Sequence, residues 1–274
     1  KAARGEAPGY EIKDEAKLNA LADELGVDRE GKSVTEVAEA VAASCLQQFG
    51  AQEDGVTFVE RAPEKQLENW RKLDIMPRGI DRDVVDVMHV TNMGVDNDHE
   101  SVILAGMRSA LGDGWGGSMI ATDLQDVLFG TPEPVRADVN LGVISEDEVN
   151  ILLHGHEPAL AEAMVDVANE PDMLARAKEL GAEGINIAGI CCTANEVLMR
   201  RGLPIAGNFL QQELAVTTGA VESIMIDVQC IMPGVTQAAD CFHTEVIATS
   251  EQAYYPGTVH IGFEAGQAYE SARE

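Results

Sequence analysis

Short apolar runs alternate with stretches of helical periodicity between Asn140 and Glu274, and this alternation limits the fold more than any other feature of the chain. The runs are 149–153, 185–190, 223–228, 244–248 and 259–263. Helical patterns fill the intervals at 158–169 with 173–180, at 195–201 with 209–218, and at 236–240. A repeated strand–helix–strand pattern predicts a parallel sheet with helices on its faces, and most of the spacings suit right-handed crossovers; the last connection is short. Residues 140–274 are therefore expected to form a Rossmann-like α/β domain.

Residues 1–139 have a different rhythm and are expected to form part of a helical domain. The segment 14–25 carries apolar groups at helical spacing and stops at Gly26. From Ser33 to Gly50 the apolar stripe is Val37, Ala38, Val41, Cys45 and Phe49. Segments 81–88 and 100–111 read as helices, as does 119–129, which ends at Gly130 and Pro132.

Charge narrows the function classes. The chain has 19 basic and 47 acidic residues, a net charge of −28. Such a surface repels nucleic acid and anionic membranes. A salt-adapted surface and an ordinary acidic one both fit. No apolar run is long enough to span a membrane, and no apolar core follows the basic residues at the start, as a signal peptide requires. The chain begins at Lys1, which is read as a piece of a longer protein. Five cysteines, an odd number in a long chain, argue against a disulfide scaffold. A reducing, cytoplasmic setting with free or metal-bound thiols is the expectation.

In an open parallel sheet, ligands collect beyond the carboxyl ends of the strands. There the first strand delivers His154-Gly155-His156, the second Cys191-Cys192-Thr193, and the third Gln229-Cys230-Ile231. Imidazole and thiolate suit zinc, nickel and iron–sulfur groups. Thr193 and Glu196 read as a capping box that starts a helix one residue after Cys192 and favours thiolate there. Pro158 suits the first turn of the preceding helix. Each residue also has a plain reading: a cysteine at a strand end is a small buried hydrophobe, and either histidine can cap a loop. Spacing alone leaves both readings open and does not choose between His154 and His156, or between Cys191 and Cys192. Cys45 and Cys241 are read as buried hydrophobes. His89 and His99 are read as surface or packing residues, and His260 as structural. The Gly-rich stretch 113–118 lacks the lysine of a P-loop and is read as a packed loop that places Asp113.

The strings HGHEP at 154–158, GINIAGICCTANEVLMRRGLPIAGN at 184–208, QQELAVTTGAVESIMIDVQCIMP at 211–233 and DGWGGS at 113–118 closely resemble the catalytic subunit of nickel-containing, anaerobic carbon monoxide dehydrogenases. The resemblance implies a prismane-like fold and the reversible oxidation of carbon monoxide with water to carbon dioxide, two protons and two electrons. It implies a nickel–iron–sulfur cluster with an outlying iron held by His156 and Cys192, and a cubane iron held by Cys230. Asp113 matches an acidic residue that supports proton handling, and Cys191 lies near the cluster without being a regular ligand. Further 4Fe-4S clusters, a homodimer and a ferredoxin-type electron acceptor are implied for the whole protein.

The family also uses downstream cluster cysteines, a C-terminal lysine and an N-terminal cysteine-rich segment, none of which is found between Lys1 and Glu274. The expectation is a fragment with part of the site, unable to turn over alone. The alternatives are a hybrid-cluster hydroxylamine reductase, which shares the fold, and a non-catalytic α/β domain that binds zinc or no metal.

Overall fold

The computed structural model describes residues 1–51 and 55–274. It forms two compact units, Glu11–Thr131 and a second made of Lys1–Tyr10 with Pro132–Glu274. The units meet at Thr131/Pro132 rather than at the expected 139/140, and residues 1–10 belong with the sheet. The Tyr10 hydroxyl, which donates to the Ala159 carbonyl at 2.6 Å, ties that segment to the sheet unit.

The Glu11–Thr131 unit is helical. It contains α1 (Glu15–Glu24), α2 (Val34–Phe49), α3 (Glu64–Lys72), α4 (Ile80–Val90), α5 (His99–Gly112) and α6 (Ser118–Phe129). The Asp14 carboxylate caps α1, and Ser33 with Glu36 forms a reciprocal capping box on α2. Leu18, Leu21, Val41, Cys45 and Phe58 are buried in this unit. Helix α3 escaped the sequence reading because its stretch EKQLENWRK buries only Leu67 and so carries no apolar stripe.

The second unit contains β1 (Val149–His154), α7 (Pro158–Ala168), α8 (Pro171–Glu179), β2 (Ile185–Ile190), α9 (Cys191–Arg201), β3 (Ile205–Gly207), α10 (Gln212–Thr217), β4 (Ser223–Ile226), α11 (Gly234–Ala239), β5 (Glu245–Ala248), β6 (Val259–His260) and α12 (Ala268–Arg273). The strands form one sheet in the order β3-β2-β1-β4-β5-β6, all parallel. This is the doubly wound α/β arrangement, with its switch point between β1 and β4.

Neighbouring strand residues point to opposite faces, and both faces are covered. Leu152, Ile190, Ile224, Ile226 and Val246 pack on one side with Val216 and Val235 of α10 and α11. Leu153, Ile187 and Met225 pack on the other with Leu160, Met164 and Val167 of α7 and with α12. Double coverage explains why these strands read as continuous apolar runs. Strand β3 was missed because three residues after Pro204 are too few to show a period. At the far edge only Val259 and His260 pair; residues 261–263, expected as strand, run on as irregular chain.

Candidate metal centre

Register places the candidate ligands. His154 is level with Ile190 of β2 and with Ile226 of β4, so β1, β2 and β4 end at one height. His156 and Cys192 each follow two residues beyond that line, and Cys230 follows four beyond it. These strands are not successive in the chain, as the sequence reading had it, since β3 intervenes. They are adjacent in the sheet and flank its switch point.

The His156 ring is oriented by its own partners. Nδ1 lies 2.9 Å from the Val228 carbonyl, which can only accept, so Nδ1 carries the proton. In the neutral ring Nε2 is then left with a free lone pair, the arrangement expected of a metal-binding imidazole. Nε2 stands 4.0 Å from the Cys230 sulfur. The buried Cys191 thiol and the Cys192 thiol are both close enough for Cys230 to act on them electrostatically. Among the described residues, no group of three or more His, Cys, Asp or Glu is arranged to hold a metal ion by itself.

The thiols depart from expectation. Burial first, then the neighbouring thiols Cys230 and Cys192, push Cys191 up to about 11. Burial, Cys230 and Glu196 push Cys192 in the same direction. The helix start differs from expectation: α9 starts at Cys191, Thr193 lies inside its first turn with its hydroxyl donating to Asp227, and Glu196 pairs with Arg200 at 2.9 Å. The helix therefore starts two residues early and its first turn includes the cysteines. Burial and crowding favour the protonated form of Cys191 and Cys192, whereas a bound metal would favour thiolate.

Backbone strain concentrates here. Cys191, Gln229 and Cys230 have φ of 66°, 60° and 54°, a region that costs a non-glycine residue about 1–2 kcal/mol. Two buried polar side chains hold these turns. Gln212, 0% exposed, donates to the Phe209 carbonyl at 2.8 Å and the Cys230 carbonyl at 3.2 Å. Its carbonyl accepts from the Met232 N–H at 2.9 Å and from His154 Nε2 at 3.1 Å. Burial lowers the His154 pKa, so the ring stays neutral as a donor to Gln212. Replacing Gln212 by Leu leaves these buried groups unpaired, at about 1–3 kcal/mol each. The expected result is a lower thermal unfolding midpoint and faster proteolysis near Cys230; unchanged stability would contradict the role given to Gln212.

Asp227 is the other. Its carboxylate accepts from the backbone N–H groups of His156, Val228 and Glu157 and from the Thr193 hydroxyl. Neither Gln212 nor Asp227 was singled out from the sequence. Asp227 directly follows the β4 run, and a carboxylate at the end of a buried strand was the available signal. At Pro158, the expected first helical position is found, with Glu157 as the cap.

Other residues fall as follows. Cys45 is buried as expected, and burial raises it to about 11. Cys241 is exposed, contrary to expectation: it falls in the turn after the short helix α11, and its thiol donates to the Gln237 carbonyl. His99 and His89 are exposed, and exposed His260 lies against Tyr254 at 4.9 Å between ring centroids. The stretch Asp113–Gly117 is a π-helical turn joining α5 to α6, not a loop. A Cβ on Gly116 would come within 2.9 Å of Ile80, so glycine permits the close packing that the reading expected. Asp113 is exposed on that turn, in the helical unit.

Fold and donor edge together define a doubly wound α/β protein whose switch point presents thiol and imidazole groups. The chain belongs to the Prismane/CO dehydrogenase family, whose model matches residues 1–274. It is 57% identical over 274 residues to carbon monoxide dehydrogenase 1 of Methanosarcina mazei, covering 100% of this chain and 44% of that protein. The nickel-free carbon monoxide dehydrogenase of Thermococcus sp. AM4, as isolated, superposes with a TM-score of 0.94 at 48% identity, covering 99% of this chain and 43% of that one. Carbon monoxide dehydrogenase IV of Carboxydothermus hydrogenoformans superposes with a TM-score of 0.91 at 44% identity, with 99% and 43% covered. The chain thus spans less than half the length of these relatives.

Proposed function

We propose that this chain carries part of the active site of an anaerobic nickel–iron carbon monoxide dehydrogenase, which oxidises carbon monoxide with water to carbon dioxide, two protons and two electrons. The observation that carries this reading is the His156 ring, held by the Val228 carbonyl with Nε2 turned toward the Cys230 sulfur at the switch point. His156, Cys192 and Cys230 would hold a nickel–iron–sulfur group, since thiolate with neutral imidazole is the donor set such metals take. When bound, that group would take carbon monoxide and water and accept the two electrons.

The chain's own residues supply the setting. His156 offers a fixed tautomer, so no proton has to leave Nε2 before it binds metal. Cys192 and Cys230 each release a proton on metal binding. Asp113 is the proposed proton-handling group; its place on a π turn, a feature frequent at functional sites, supports that role. A ferredoxin-type acceptor and a homodimer complete the reading for the whole protein. No helix among the described residues is long and apolar enough to cross a membrane.

The test is metal analysis with electronic absorption of the native enzyme purified without oxygen, together with carbon monoxide-dependent reduction of a viologen dye. Nickel, iron, a broad sulfide-to-iron absorption and dye reduction are expected. Zinc alone, with no iron or nickel, would contradict the proposal. Hydroxylamine reduction without carbon monoxide oxidation would favour the related hybrid-cluster chemistry instead.

A further inference from the structure

Asp227 is 6% exposed and sits immediately after β4. Oδ1 accepts from the N–H groups of His156 and Val228. Oδ2 accepts from the Glu157 N–H at 2.9 Å and from the Thr193 hydroxyl at 3.4 Å. An ionised carboxylate is acceptor-only and has room for four donors, so this set can satisfy it without a cation.

Each donor belongs to a segment that carries a proposed ligand. His156 is itself one. Thr193 follows Cys192. Val228 precedes Cys230 by two residues, and its carbonyl orients His156. One carboxylate thus joins the ends of β1 and β4 to the first turn of α9. Gly155 makes room for it: φ there is 134°, and a Cβ would lie 1.8 Å from Asp227 Oδ1.

We propose that Asp227 is a positioning residue that sets His156, Cys192 and Cys230 relative to one another for the metal group. The inference rests on the reading given under Proposed function. A metal group demands ligand placement to within about 0.2 Å. Cys191, Gln229 and Cys230 sit at positive φ, and such residues keep that conformation only while their surroundings impose it. Releasing the carboxylate lets the ligand segments move independently, while the hydrophobic faces of the sheet remain packed.

The test is Asp227→Asn in the native enzyme. The side chain keeps its shape, but one acceptor oxygen becomes a donor facing other donors. The expected result is retained far-ultraviolet circular dichroism, nickel and iron content lowered by about tenfold or more, and an altered cluster electron paramagnetic resonance spectrum in the remainder. Wild-type stoichiometry and spectrum would overturn the proposal. Thr193→Val provides a second variant, which keeps the buried volume and removes a single donor. It is expected to fold and to lose nickel severalfold with a shifted spectrum. If Asp227→Asn does not fold and Thr193→Val has wild-type metal content and spectrum, Asp227 serves folding alone and the proposal fails. Wild-type enzyme without iron and nickel would instead sink the underlying functional reading, whereas a normal wild-type cluster with unaffected variants would sink only the positioning role.

Discussion

Cys230→Ala in the native enzyme is expected to abolish carbon monoxide oxidation, with a loss on the order of 100-fold or more, and to lower nickel and iron content with it. Alanine removes a thiolate that no neighbour replaces in the same place. Cys191, the neighbouring thiol, is buried at the start of α9 and fixed by its own left-handed backbone. The loss should therefore appear in metal stoichiometry as well as in rate, which separates a ligand from a residue that only shapes the site. Cys241→Ala is the control. Its thiol is exposed and donates to the Gln237 carbonyl, away from the proposed ligands, so activity and metal content should stay near wild type. Equal and mild effects of the two substitutions would contradict the ligand assignment.

Leu152→Ala is expected to cost about 2–5 kcal/mol, the range for emptying a fully buried leucine site. Leu152 is 0% exposed in β1, the strand beside the switch point, and packs with Ile190, Ile224 and Val246. The cavity would open between adjacent parallel strands that have helices on both sides, where little can collapse to fill it. In an enzyme of several domains the practical readout is the apparent unfolding midpoint, which should fall by roughly 5–10 °C. Val259→Ala is the comparison: Val259 is 41% exposed in the two-residue edge strand β6 and should change stability by no more than about 0.5 kcal/mol. If both variants lose stability alike, β1 is not the centre of this core.

The sheet was legible because its strands are buried on both faces, so 149–153, 185–190 and 223–228 appear as uninterrupted apolar runs. The helices with an apolar stripe were legible for the related reason that a stripe repeats in sequence. What escaped lacked periodicity. Strand β3 is too short, α3 is polar on nearly every side, and Tyr10 meets α7 across 149 positions of chain. The turn at Thr193 misled for another reason. Its hydroxyl donates to Asp227, 34 positions away, and the T-x-x-E pattern is silent about which partner a hydroxyl finds in the fold.

The site divides the same way. That His156, Cys192 and Cys230 stand at strand ends can be read from the chain, since strand ends are marked by where apolar runs stop. Their common level cannot be, because register between β1, β2 and β4 is a property of pairing. The tautomer of His156, the clamp by Asp227 and the hold of Gln212 on the Cys230 turn depend on contacts between residues 18 to 72 positions apart. Composition carries no trace of such contacts. The strings around HGHEP and VQC conveyed the chemistry of a whole family through resemblance, whereas the physical character of the same residues conveyed only a soft-donor edge.

The most direct measurement is X-ray diffraction from crystals of the native enzyme grown without oxygen, with anomalous data collected on either side of the iron and nickel absorption edges. Anomalous iron density bonded to His156 Nε2, Cys192 Sγ and Cys230 Sγ is expected, with nickel in the same group of atoms. Iron and nickel density located elsewhere, with these three side chains free of metal, would contradict the ligand assignment.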